Sequence, residues 1–127
     1  MDTSTTTAKT RTITLTDRRP VTIDEAEWPI VAVGDERPGS SHNGTPVPNY
    51  ETDRYTIRVR QHADGRAIVY VVVDAATAWT GTADYRGGVL LTAGSDIAAA
   101  ILSVGEAAGC PASVIRECIA DLPAERL

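Results

Sequence analysis

The sequence predicts an α+β domain: an antiparallel sheet of three to four strands with helices packed on one face, in the order β-α-β-β-β-α-α. Three observations predict this class. Two apolar-rich segments flank an Asp-Gly dipeptide at residues 64–65, a pattern typical of a β-hairpin. Two later segments repeat apolar residues at helical spacing. The 127 residues are 43% apolar and 23% charged, which is the balance of one soluble domain.

The first fifteen residues predict a tail followed by a strand. Residues 1–10 are polar and rich in threonine, so we expect a disordered tail before a single α+β domain over residues 11–127. Ile13 and Leu15 alternate with threonines, which predicts a short strand with one buried face.

The next segment predicts a short helix and then a long loop. Thr22 and Glu25 have the spacing of a capping box, which predicts a helix over residues 23–28 before Pro29 interrupts it. Gly, Pro, Ser and Asn occur throughout residues 34–52, so we expect a long loop there.

The hairpin is the clearest local signal in the chain. We expect strands over residues 55–62 and 67–74. If residues 64–65 form a two-residue turn, Val59 faces Tyr70 and one face of the hairpin is largely apolar. The opposite face is then half cationic and half aliphatic. Either the first strand, a second copy of the chain or a partner covers it.

A third strand and two helices complete the predicted domain. The strand lies at residues 89–91, and Ser95 caps a helix from Asp96 to about Ala108. A second helix begins at Cys110-Pro111 and stops at Pro123. The apolar stripes of the two helices are predicted to be Ile97, Ile101 and Val104, then Val114, Ile115, Cys118, Ile119 and Leu122. Since the chain has no Phe, Trp28 and Tyr70 are the expected large core residues.

The sequence carries no recognisable catalytic or cofactor motif. It has neither a glycine-rich phosphate loop between a strand and a helix nor a Gly-x-Ser-x-Gly elbow. Two cysteines and two histidines, Cys110, Cys118, His42 and His62, lack the paired spacing of a zinc site. We therefore expect a protein without a cofactor that is not an enzyme, with Cys118 an inert buried thiol.

The hydropathy of the chain predicts a cytoplasmic protein. The longest apolar run, Ala67–Val73, is far shorter than the roughly twenty residues that span a membrane. The polar residues 1–10 lack the apolar centre of a signal peptide.

Charge is unevenly distributed, and this distribution supplies the candidate binding residues. Residues 23–53 hold seven acidic side chains against Arg37 alone, although the net charge of the whole chain is only −5. This segment is either an ordinary solvated surface or a face for a basic partner. Its candidate contact residues are Asp24, Glu25, Glu27, Asp35 and Glu36.

A basic and aromatic cluster lies on the hairpin and the connection after it. Its members are Arg58, Arg60, His62, Arg66, Trp79, Tyr85 and Arg86. The cluster either binds an acidic protein or a nucleic acid, or is a solvated sheet face. The negative net charge disfavours general binding to a phosphate backbone.

Three stretches carry a resemblance to a known family. They are residues 16–23 with Glu27-Trp28-Pro29, residues 59–70, and residues 117–125. Together they resemble a family of small uncharacterised proteins encoded on plasmids and integrative elements of proteobacteria. The resemblance spans residues 11–127 and brings no assigned catalytic residues. It implies an accessory factor that binds host or element proteins, a group that includes inhibitors of host defence such as anti-CRISPR proteins.

The sequence therefore favours a non-enzymatic protein-binding factor, with a homodimer through the valine-rich hairpin as a further expectation. The alternative is a nucleic-acid-binding module, because the α-β-β-β-α order within residues 23–108 loosely resembles a double-stranded-RNA-binding domain. That family uses basic residues at a helix N-terminus. Here the corresponding position is Ser95-Asp96, which is acidic.

Overall fold

Eight strands precede two helices in the part of the chain that the structure, a computed structural model, describes: residues 9–35, 39–42, 45–48, 54–74 and 83–123. The elements are β1 (Thr10–Thr14), β2 (Pro20–Asp24), β3 (Ile30–Asp35), β4 (Gly39–His42), β5 (Thr45–Pro48), β6 (Arg54–Gln61), β7 (Ala67–Asp74), β8 (Ala83–Leu91), α1 (Ile97–Ala107) and α2 (Ala112–Ala120). The α+β class predicted from the sequence is confirmed.

A four-stranded antiparallel sheet with the order β3-β6-β7-β8 forms the middle of the molecule. The first seven residues of β7 are all buried, because both faces of the sheet are covered around this strand. Its unbroken run of apolar residues is typical of a strand without a solvent face. Both helices lie on one face, the helix face, and the β1–β2 hairpin lies on the other, the hairpin face.

The helix face holds the larger apolar core. Its buried residues on β6 and β7 pack against α1 and α2: Ile57, Val59, Val69, Val71 and Val73 against Ile101, Val104, Val114, Ile115 and Cys118. The predicted helix stripes are thereby confirmed. Gly34 on β3 lets α2 come close, because a side chain there would collide with the Val114 carbonyl and with Cys118.

The hairpin face is covered by the chain itself. Ile13, Leu15 and Ile23 of the first hairpin pack onto Ile68, Tyr70 and Val72 of β7, and Trp28 closes the end of this second core. The sequence analysis left three alternatives for what covers the arginine-bearing face: the first strand, a second copy of the chain or a partner. In the described structure the first strand covers it, as part of the β1–β2 hairpin.

The predicted helix over residues 23–28 is wrong. Residues 20–24 are strand β2, in which Val21 and Ile23 alternate with outward residues and pair with β1. The Thr22 hydroxyl lies 2.9 Å from that of Thr12 across the hairpin, so it caps no helix. Asp24 caps a single turn instead, since its Oδ1 accepts from the Ala26 N–H and its carbonyl accepts from the Trp28 N–H.

The predicted pairing of β6 with β7 is wrong by one residue. Val59 faces Val69 rather than Tyr70. The His62 N–H donates to the Arg66 carbonyl and the Gly65 N–H donates to the His62 carbonyl, which makes a three-residue loop with Gly65 at φ 97°. The extra loop residue puts aliphatic side chains together on the helix face and leaves Arg58 and Arg60 on the hairpin face.

Three other boundaries differ from the sequence prediction. The third strand, predicted at residues 89–91, begins at Ala83 as β8. The expected loop over residues 34–52 contains the end of β3 and the β4–β5 hairpin, while residues 36–38, 43–44 and 49–53 lie outside the described ranges. Of the predicted tail, residues 1–8 are not described, but Thr10 already pairs with Asp24.

The cap of α1 is Asp96 rather than Ser95. The Asp96 Oδ1 accepts from the Ala99 N–H at 3.1 Å, while the Ser95 hydroxyl lies 3.2 Å from that of Thr92. Both predicted ends are confirmed otherwise: Gly109 follows α1 at φ 78°, and α2 stops before Pro123.

The turn of the β1–β2 hairpin has the same hydrogen-bond pattern as the turn of the β6–β7 hairpin. The Leu15 N–H donates to the Arg19 carbonyl, the Arg18 N–H donates to the Leu15 carbonyl, and Asp17 accepts from the Arg19 N–H. Arg18 therefore stands where the other turn has Gly65, and its φ is 68°. A left-handed backbone costs a residue other than glycine about 1–2 kcal/mol.

We expect Arg18→Gly to raise the free energy of unfolding by about 1 kcal/mol, because glycine adopts this backbone without a Cβ clash. Arg18 is exposed, so its side chain contributes little packing. Urea denaturation measures the change, and Arg19→Gly is the matched control, which should lower stability. A lower stability for Arg18→Gly would contradict this account of the turn.

Candidate functional site

The basic and aromatic residues proposed from the sequence do not share one open surface. The β1–β2 hairpin covers the middle of the face on which Arg60 lies, and Arg60 is only 5% exposed. Arg58 is half-buried, and Arg86 and Arg66 are exposed. Trp79, like Glu36 of the acidic set, lies outside the described residues.

Every nitrogen of the Arg60 guanidinium donates to an acceptor from another part of the fold. Its Nε donates to the Tyr70 hydroxyl at 2.9 Å, Nη1 to the Trp28 carbonyl at 3.0 Å and Nη2 to Glu25 Oε1 at 3.1 Å. A buried cation needs such partners, because its transfer from water into the protein is costly. Arg60 is thus held inside the molecule.

Glu25 connects this buried cation to a second arginine. The same Glu25 Oε1 accepts from Arg11 Nε at 3.0 Å, and Arg11 Nη1 donates to the Tyr85 hydroxyl at 3.2 Å. The Arg11 guanidinium holds the pKa of the Glu25 carboxyl below its ordinary value, with a smaller contribution from Arg60. Hydrogen bonds to Tyr85 and Glu25 raise the pKa of Arg11.

We call these five residues, Arg60, Glu25, Arg11, Tyr70 and Tyr85, the Arg60 network. They come from β1, the turn after β2, β6, β7 and β8, so the network fastens the first hairpin to three strands of the sheet. Arg60, Glu25 and Tyr85, which the sequence suggested for partner contact, are therefore engaged inside the fold.

Trp28 contacts two other proposed contact residues. The His62 ring lies 5.1 Å from the Trp28 ring, and the Arg66 guanidinium carbon lies 5.1 Å from the centre of the same ring. Arg66 also donates through Nε to Asp64 at 2.8 Å. Hydrogen bonds from Arg66, above all from its backbone N–H, lower the pKa of Asp64.

The acidic residues proposed from the sequence also separate. Asp24 caps the turn before Trp28, and Glu27 is exposed with a side chain that makes no hydrogen bond or ion pair in the described ranges. Asp35 accepts from Arg54 Nε at 3.0 Å, from Arg54 Nη2 and from the Thr56 hydroxyl at 3.3 Å. The acidic segment is therefore not one continuous face in the described residues.

A polar pocket of about 480 Å³ opens on the hairpin face beyond the first hairpin; we call it the Arg58 pocket. It is lined by Arg11, Val33, Asp35, Arg54, Thr56, Arg58, Val72 and Asp74. The sequence analysis named Arg58 and Asp35 but missed Arg54, whose position opposite Asp74 is set by the strand register.

A second surface that the sequence did not reveal is a groove of about 480 Å³ beside β8; we call it the β8 groove. Its lining comes from the first turn, the end of β8 and α1: Leu15, Thr16, Asp17, Arg19, Gly88, Val89, Leu90, Leu91, Ala100, Ser103, Val104 and Ala107. The groove runs along an edge of the central sheet, because β8 is the last strand in the order.

The backbone of β8 is capped at only one position of this edge in the described structure. Thr16 N–H donates to the Gly88 carbonyl and the Gly88 N–H donates to the Thr16 hydroxyl, each at 3.0 Å. The outward direction of the polar groups alternates along an antiparallel strand. Leu90, two residues on, therefore also directs its N–H and carbonyl into the groove.

The other edge of the sheet is partly covered. Helix α2 packs against β3, and the Val33 N–H donates to Asp121 Oδ2 at 2.9 Å. Unpaired strand edges invite pairing with other chains, and a covering helix blocks this. Within the described residues, the end of β8 is thus the less covered of the two edges of the central sheet.

The thiols have surroundings that suit packing better than catalysis. Both cysteines are free; Cys118 is buried and Cys110 is half-buried. Burial raises the pKa of Cys110 to about 11 and is the main cause that raises the pKa of Cys118 to about 12, so both remain protonated near neutral pH. Among the described residues, no three His, Cys, Asp or Glu side chains are grouped as metal ligands.

Comparisons of the chain with protein-family models, curated proteins and solved structures find no match. The resemblance to proteins of plasmids and integrative elements therefore stays a prediction. Neither helix of the described ranges has the length and apolar character that crossing a membrane requires.

We expect Glu25→Gln to lower stability at neutral pH, because the Arg60 network then has two guanidiniums and no carboxylate. A carboxylate with a lowered pKa stabilises the fold above its ordinary pKa of 4.5 and loses that contribution as the pH falls through the lowered value. The difference in Tm between wild type and Glu25→Gln should therefore shrink as the pH falls below 4.5.

Glu27→Gln is the matched control for this measurement, since Glu27 lies two residues away and is exposed. Its Tm should follow that of the wild type throughout the same titration. A constant difference between wild type and Glu25→Gln across the pH range would show that the charge of Glu25 does not stabilise the network.

Proposed function

We propose that this chain is a small non-enzymatic accessory protein of a mobile genetic element that acts in the cytoplasm by binding a protein partner through the β8 groove. The observation that carries the binding site is the accessible end of β8, flanked by apolar side chains. The mobile-element context rests on the sequence resemblance alone. An inhibitor of a host defence system is one class of protein that fits this description.

The occupant that suits the groove is an extended segment of the partner. Such a segment adds to a sheet edge through main-chain hydrogen bonds, and pockets for its side chains provide specificity. Here the outward N–H and carbonyl of Leu90 offer the main-chain contacts. Leu15 on one side and Ala100 and Val104 on the other supply an apolar pocket for one side chain.

The charged rim of the groove would orient such a segment. Asp17 and Arg19 both line the groove at the first turn, and their side chains are largely exposed. Charges at the rim of an interface contribute more to orientation and association rate than to affinity. The apolar centre would therefore provide most of the binding free energy.

The nucleic-acid alternative has less support. Its main candidate surface was the arginine-bearing hairpin face, where Arg60 is buried and Arg11 is paired with Glu25. Asp96 is the cap of α1, where a double-stranded-RNA-binding domain would present basic residues. Binding of a partner protein at the β8 groove requires neither an exposed arginine cluster on the hairpin face nor basic residues at the start of α1.

The decisive variant is Ser103→Arg, because Ser103 is exposed on α1 and lines the groove without belonging to the core. We expect the tagged wild type to recover one protein in stoichiometric amount from a proteobacterial lysate. Ser103→Arg should weaken the binding of that purified protein at least about tenfold, which is about 1.4 kcal/mol. Ala112→Arg, on the exposed side of α2, is the control and should bind like the wild type.

Equal binding by Ser103→Arg and wild type would exclude the β8 groove, and failure to recover a stoichiometric partner would count against the protein-binding role. A gel shift with RNA or DNA that weakens steeply with salt would favour the nucleic-acid alternative. Light scattering distinguishes a second copy of the chain as occupant: a dimer that Ser103→Arg dissociates would replace the partner segment by self-association.

A further inference from the structure

The Arg58 pocket contains a cation for which the described structure provides no counter-ion. Arg54 is paired with Asp35, and Arg11 is paired with Glu25 and bonded to Tyr85. Arg58 is half-buried and makes no hydrogen bond or ion pair with any residue of the chain in the described ranges. Its two neighbours thus have their acceptors, whereas the five donor hydrogens of Arg58 are available.

The position of Arg58 follows from the strand register. It pairs with Tyr70 on β7 and with Val33 on β3, so it lies between two neighbouring strands on the hairpin face. Arg60, two residues along the same strand, points to the same face but is covered by the first hairpin. The hairpin does not cover Arg58 in this way, and the pocket opens at that point.

We propose that the Arg58 pocket binds one carboxylate group, with the Arg58 guanidinium as its main donor. A planar guanidinium matches the two oxygens of a carboxylate through parallel hydrogen bonds. Arg11 is paired with Glu25, and Arg54 interacts with both Asp35 and Asp74, so Arg58 is the lining cation that no acidic side chain of the described residues bonds. The two aspartates would repel a doubly charged phosphate more strongly than a singly charged carboxylate.

The apolar part of the lining strengthens this contact. Val33 and Val72 border the charged groups and reduce the access of water to them. An ion pair gains free energy where water is partly excluded. Asp35 and Asp74 would repel a second carboxylate, so the pocket should hold one ligand per chain.

The carboxylate could belong to an acidic side chain of a protein or to a small organic acid, and these sources share the same chemistry. The pocket has no lining residue in common with the β8 groove. The inference therefore does not depend on the proposed function, and the failure of one leaves the other to be tested by its own variant.

The test is an NMR titration of the full chain labelled with nitrogen-15, at constant ionic strength maintained with sodium chloride. Sodium acetate is the small-acid probe, a blocked tripeptide with glutamate at its centre is the peptide probe, and inorganic phosphate is the comparison anion. We expect the Arg58 Nε–H signal and the Val33 amide signal to shift to saturation with both carboxylates. Phosphate should require at least about tenfold more ligand.

The two carboxylate probes distinguish the source of the natural ligand. Half-saturation at a lower concentration of the peptide would assign the pocket to an acidic segment of a protein, and the reverse order would assign it to a small acid. Arg58→Gln should abolish the saturable shift of Val33. Arg58→Lys should weaken it about tenfold, because lysine keeps the charge and loses the planar pair of donors.

Arg86→Gln is the control, since Arg86 is exposed and does not line the pocket; its titration should match that of the wild type. Shifts that do not saturate in the wild type, or that appear equally at Arg66 and Arg86, would overturn the proposal. So would a saturable Val33 shift that survives in Arg58→Gln. The wild-type titration tests whether the Arg58 pocket binds a carboxylate even if a variant fails to fold.

Discussion

The buried guanidinium of Arg60 is the constraint on which the arrangement of this fold depends. A strand that carries a cation toward the protein interior needs acceptors from other elements, and here Tyr70, the Trp28 carbonyl and Glu25 supply them. Removal of one of these partners would leave the buried guanidinium without a full set of acceptors, which is destabilising. The position of the first hairpin is therefore coupled to the charge state of Glu25, which Arg11 holds as a carboxylate.

This arrangement decides which surfaces remain accessible. Because the first hairpin lies over Ile68 and Tyr70, one part of the sheet face becomes a second core and the rest becomes the floor of the Arg58 pocket. The turn of the same hairpin caps Gly88 and stops short of Leu90. The Arg58 pocket and the β8 groove thus both lie at the border of the β1–β2 hairpin. Because each is formed where separate elements meet, neither corresponds to a motif in the sequence.

Local patterns predicted the hairpin, the two helices and their buried stripes, because apolar spacing reports which side of an element is buried. They did not predict the pairing of β6 with β7, since an Asp-Gly turn fits both a two-residue loop and a three-residue loop. The spacing of Thr22 and Glu25 suggested a helix, but the alternation of Val21 and Ile23 gained more burial as a strand. The burial of Arg60 could not be predicted, because its acceptors lie on segments 10 and 35 residues away.

The preference for arginine over lysine, eleven against one, acquires a structural meaning from these contacts. Arg60 reaches three acceptors in different directions and Arg11 reaches two, which the single ammonium group of a lysine could not do with the same geometry. Arg54 and Arg66 are likewise bonded to aspartates. Much of the basic charge in the middle of the sequence is therefore neutralised within the fold. A local excess of arginine in this chain thus indicates hydrogen bonds and ion pairs between its own elements more than a surface for nucleic acid. Arg58, which departs from that pattern in the described structure, is for this reason the arginine with the strongest case for a ligand.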